Sequence, residues 1–69
     1  MKDLQTSDPK QHTQNIQIEL QKLTDHLRQD IEKVDDPKAQ ALFETSAEVL
    51  TGLITAFSHY EEKTEKAWE

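Results

Sequence analysis

The sequence predicts an all-α fold, an antiparallel two-helix hairpin that dimerises into a four-helix bundle, and three observations carry that expectation. The 69 residues include one glycine, two prolines and 32% charged side chains, a composition that suits helices better than a turn-rich sheet. The tripeptide Asp-Pro-Lys occurs twice, as Asp8-Pro9-Lys10 and Asp36-Pro37-Lys38. After each copy the apolar residues recur at helical spacing.

Residues 1–8 are mostly polar and are expected to form a flexible tail. The first helix is expected over about 9–33. Asp8 can accept a hydrogen bond from the free N–H groups of the first turn, and proline at the first helical position has its φ preset and lacks an N–H that would be unpaired there. Gln11 stands three residues beyond Asp8, in capping-box position. Ile16, Leu20, Leu23, Leu27, Ile31 and Val34 then form a stripe about 100° wide at ~100° per residue.

A break is expected at about 34–36, because Pro37 disfavours the α-conformation at Asp36. So short a connection favours reversal of the chain into a hairpin, with Leu20 near Leu53 and Ile16 near Phe57. One long bent helix is the alternative.

The second helix, about 37–67, is richer. Ala39, Leu42, Ser46, Val49, Leu53, Ala56 and Tyr60 make one stripe, and Phe43, Ala47, Leu50, Ile54 and Phe57 make another beside it. Together they span about 180°. The first helix can cover about half of that arc, so a surplus is left over. A second copy is the expected cover, with the interface assigned to Phe43, Ala47, Leu50, Ile54, Phe57 and Trp68 and with the two subunits related by a two-fold axis. A different protein partner that supplies the missing helices is the rival. The plan resembles the antiparallel hairpins that dimerise into four-helix bundles, such as Rop, with no family motif to support more than that. Gly52 lies near the edge of the arc, where it reads either as a point of close helix approach or as a tolerated surface glycine.

Size and charge narrow the function. A chain this short seldom gains more than ~3–5 kcal/mol from one core, and with no cysteine it has no disulfide or thiolate metal site to help. Oligomerisation is the remaining support. Nothing in the sequence resembles a signal peptide or a membrane span, so a soluble, cytoplasmic protein is expected.

The net charge is −6, and residues 35–69 carry most of the acidic excess. That charge opposes binding to phosphate backbones, so no nucleic-acid partner is expected. An amphipathic helix can lie on a membrane, but such helices are typically rich in Lys and Arg, so no membrane partner is expected either.

No catalytic constellation appears, and neither an enzyme nor a cofactor is expected. No serine has a base and an orienting acid nearby in the sequence, and there is no glycine-rich phosphate loop. His12 falls in the first turns of the first helix and His26 falls off its stripe. Glu44, Glu48, His59 and Glu62 are the best candidates for a metal site, which would have to be assembled between subunits. Their spacing departs from the Glu-x-x-His pattern of carboxylate bundles, and Glu48 and His59 lie about 16 Å apart along one helix. A solvated polar face is the simpler reading. Glu61 is the exception among the acids, because it projects inside the apolar arc, where it could snorkel or pair with Lys22 or another base across the interface. The leading reading is a non-enzymatic homodimer that acts through protein–protein interaction as an adaptor or structural module.

Overall fold

Both Asp-Pro-Lys sites start helices, and they do so through their aspartates. In the computed structural model, which describes Met1 and residues 3–62, helix α1 spans Pro9–Ile31 and helix α2 spans Pro37–Glu62. The Asp8 carboxylate accepts from the Lys10 N–H at 3.0 Å, and Asp36 accepts from the Lys38 N–H at 3.0 Å. Each takes up one of the N–H groups that a helix start leaves without a backbone partner. Glu62 is the last described residue, so the expected end of the second helix near 67 lies outside the described residues, as does Trp68.

The segment before α1 is tied back onto the helix. Thr6 Oγ1 accepts from the Asp8 N–H at 3.1 Å, and His12 Nε2–H donates to the Thr6 carbonyl at 2.7 Å. His12 thereby has a local structural task.

Helix α1 stops at Ile31, two residues short of the expected 33. The Lys33 and Val34 N–H groups both donate to the Asp30 carbonyl, at 2.9 and 3.1 Å, which tightens the last turn. The Gln40 side chain then reaches back from α2 and donates to the Val34 carbonyl at 2.7 Å. One amide thus holds the connection closed.

The two helices run antiparallel, and α1 packs along α2 as a hairpin; the single bent helix is ruled out. Two side-chain hydrogen bonds mark the register. Gln17 Nε2 donates to the Ile54 carbonyl at 3.2 Å. The Thr13 hydroxyl lies within reach of both Glu61 Oε1 at 3.1 Å and the Lys10 carbonyl at 2.9 Å, and its one proton serves one of them at a time. This register puts Leu20 level with Leu53 and Ile16 level with Phe57.

Only two described residues are buried, Ala47 at 0% and Thr24 at 3% exposure. Both are small, and the register sets them level with each other at the middle of the pair. Among the described residues no large side chain is fully buried. Thr24 loses its water without losing its hydrogen bond, because its hydroxyl donates to the Leu20 carbonyl at 2.8 Å.

The stripe of α1 meets α2 obliquely. The line of α1 that points at α2 runs through Thr13, Gln17 and Thr24, while Ile16 and Leu23 stand 36% and 49% exposed. Polar residues therefore occupy much of the seam between the helices, and the apolar stripe is rolled toward one side.

Candidate functional site

The roll of α1 gives the hairpin two unlike faces. On one side a groove between the helices is lined by Leu23 and Leu27 from α1 and by Ser46, Val49 and Leu50 from α2. It continues toward the end of α2 as a second hollow lined by Thr13, Leu53, Ala56, Phe57 and Tyr60. Leu42, Val49 and Leu53 of α2 are 62%, 59% and 43% exposed and Leu23 of α1 is 49% exposed, so large apolar side chains from both helices meet water. Single exposed leucines are ordinary on protein surfaces, whereas several converging from two helices make a contiguous apolar patch, which is what makes this face the candidate site.

The opposite face is polar. One of its grooves is lined by Gln14, Gln17, Ile18, Gln21 and Ile54, and another by Arg28, Ile31, Glu32, Glu44 and Glu48. Ile18, 55% exposed, is the most open apolar residue among those that line it, while Ile31 and Ile54 are half-buried toward the seam.

The residues expected to meet a second copy sit closer to the seam than that expectation supposed. Ala47 is fully buried within the chain's own hairpin, and Phe43, Leu50, Ile54 and Phe57 are half-buried there. The most open apolar positions of α2 belong to the neighbouring stripe, at Leu42, Val49 and Leu53. The division follows from geometry. A helix shows each neighbour a limited arc, and α1 occupies the side of α2 centred on Ala47.

The candidate metal ligands do not converge. Glu44 and Glu48 lie on the polar face beside Arg28. His59 is half-buried near the end of α2, and Glu62 Oε1 accepts from the Ser58 hydroxyl at 3.4 Å. Among the described residues no three His, Asp or Glu side chains are grouped to hold an ion. His26 pairs with Asp30 at 3.1 Å and Lys22 with Glu19 at 3.6 Å, both along the outside of α1. Lys22 is therefore engaged within its own helix, and Glu61 has Thr13 as its partner instead.

Sequence reasoning missed Gln17, Gln40 and Thr24. The apolar pattern passes over all three, and each donates to a backbone carbonyl. Thr13 and Gln17 did carry a signal, since they stand four residues apart on the line that Thr24 and Ile31 continue at helical spacing.

No family model matches the chain, and comparison with curated proteins and with solved structures finds no match. No described helix is long and apolar enough to cross a membrane.

Proposed function

We propose that this protein is a non-enzymatic helical-bundle module that acts through self-association and protein–protein contact, with the apolar face of the hairpin as its working surface. The observation that carries this reading is that face. Ile16 and Leu23 of α1 and Leu42, Val49 and Leu53 of α2 stand open on a hairpin in which, among the described residues, only Ala47 and Thr24 are buried.

The physical reason is the shape of the fold. Stable domains pack at least two layers around one core, and this chain is a single layer, 12 Å in its thinnest dimension. A second layer is what it lacks. A second copy supplies one directly, because a two-fold axis brings the same patch of two chains together. Two helices of about 35 Å, each about 10 Å wide, offer about 700 Å² per copy. That is close to the ~800 Å² per partner of a standard stable interface.

Charge supports the same occupant. The chain carries −6 overall, yet Glu44 and Glu48 lie on the far face, so two copies can meet without bringing those carboxylates together. The acidic balance also favours a protein surface over a phosphate backbone as partner.

Sedimentation equilibrium from nanomolar to micromolar concentration, with thermal melts over the same range, tests the reading. A dimer whose melting temperature rises with concentration is expected. A well-folded monomer with a concentration-independent melting temperature overturns it.

A further inference from the structure

The apolar arcs of the two helices differ in width, and that difference constrains how two copies can be arranged. Take the seam as the zero of direction, marked by Thr24 in α1 and by Ala47 in α2. At ~100° per residue, Leu27, Ile16 and Leu23 lie between about 60° and 100° from the seam on the apolar side of α1. On α2 the apolar residues reach much further round, from Leu50 at about 60° through Leu53 at about 120° to Leu42 and Val49 at about 140–160°. Exposure follows the angle. Leu50 is half-buried, while Leu53, Leu42 and Val49 are 43%, 62% and 59% exposed.

Each neighbouring helix covers an arc of roughly 60°, the angle between touching cylinders packed in a plane. Helix α1 has apolar surface for two neighbours: α2 and one more. Helix α2 has surface for three. In a square four-helix bundle every helix touches two neighbours, which would leave Leu42 and Val49 in water. In a rhombic bundle the two helices on the short diagonal touch three neighbours each and the outer two touch two.

We infer that the protein dimerises as a rhombic bundle in which α2 is the inner helix, packed on α1 of its own chain and on both helices of the second copy. This rests on the reading that the apolar face self-associates, and it specifies the partner surface. A two-fold axis along either diagonal of the rhombus would turn a helix end for end onto itself, so the two copies can be related only by the axis through its centre and parallel to the helices. The two α2 helices therefore run parallel, with each α2 residue near the axis facing its own counterpart. Ser46, at about 100° from the seam, lies between the direction of the second α2 and that of the second α1. Val49 and Leu42 cover the second copy's α1 stripe. The Glu19–Lys22 ion pair and the His26–Asp30 contact stay on the outer edge of α1, in water.

Because the chain has no cysteine, any disulfide formed by a single-cysteine variant joins two copies. The test uses Ala39→Cys, Ser46→Cys and Leu50→Cys, which lie within about 40° of the direction of the second α2, with Lys22→Cys on the outer edge of α1 as the comparison, under mild oxidation of the full-length chain. Each variant is first shown to be helical and dimeric when reduced. Crosslinking in most molecules is expected at two or more of the α2 positions, and little at Lys22. Spin labels at Ser46→Cys should give a shorter interlabel distance than labels at Lys22→Cys, a readout that does not depend on disulfide geometry. A dimer that links at only one α2 position has its axis across the helices and overturns the parallel arrangement. A dimer with the closer labels at Lys22 places α1 at the centre and overturns the inference outright. In both of those outcomes self-association itself stands, whereas a monomer at all concentrations removes the reading beneath it as well.

Discussion

On one broad face of the hairpin Ile16, Leu23, Leu42, Val49 and Leu53 stand open to solvent. On the other, Gln14, Gln21, Arg28, Glu44 and Glu48 line the corresponding grooves. The same two helices build both faces, at the same distance from the same seam. What separates them is the direction in which each helix is rolled. The apolar stripe of α1 and that of α2 turn to the same side, so the hairpin has an inside only when something lies against that side. Burial of Ala47 and Thr24 alone removes little apolar surface from water, and at ~25 cal/mol per Å² it is a small part of what a stable domain requires.

The largest expected effect sets one face directly against the other. Leu53→Glu places a charge on the apolar face and should weaken association by ~3–5 kcal/mol, the cost of an unpaired charge at a desolvated site. Glu48→Gln on the polar face should change stability by less than ~0.5 kcal/mol. Sedimentation of the two variants beside the parent chain measures the contrast, and equal effects would erase the distinction between the faces.

The seam comes next. Ala47 is fully buried where the helices are level with Thr24, so Ala47→Leu should force them apart and cost ~1–3 kcal/mol, read by urea denaturation followed at 222 nm. A neutral result would show that the seam is looser than the burial of Ala47 indicates.

The connection contributes less. Asp36→Ala removes the acceptor for the Lys38 N–H and should cost ~0.5–2 kcal/mol. Thermal melts of this variant and of Asp8→Ala compare the internal cap with the one at the outer end of the hairpin.

The smallest effect has the opposite sign. A Cβ at Gly52 would meet nothing within 4 Å in the chain, so Gly52→Ala should stabilise by ~0.4–1 kcal/mol through the unfolded state. Loss of stability would instead reveal a helix of the second copy pressed close to Gly52, and would sharpen where the outer edge of the interface runs.

Much of the architecture was legible in the residues. The paired Asp-Pro-Lys sites dictated two helix starts because a side-chain acceptor followed by a preset φ is a local instruction that needs no tertiary support. The four- and three-residue spacing of Ile16 to Val34 and the doubled stripe of α2 are local in the same sense. The roll of α1 was not legible, because it depends on where Gln17 and Thr13 find partners on α2, and their helical spacing shows only that they share a line of α1, not that this line meets the other helix.

The sequence by itself determined that there would be two helices, where each begins, and that α2 carries more apolar surface than α1 can cover. The tertiary structure decided which part of that surface remains open. Small residues at Thr24 and Ala47 let the backbones approach there, so the helices settle with those positions facing each other and Phe43, Leu50, Ile54 and Phe57 partly enclosed. Leu42, Val49 and Leu53 are then left pointing away, since a helix can turn only one arc of its surface toward a single neighbour.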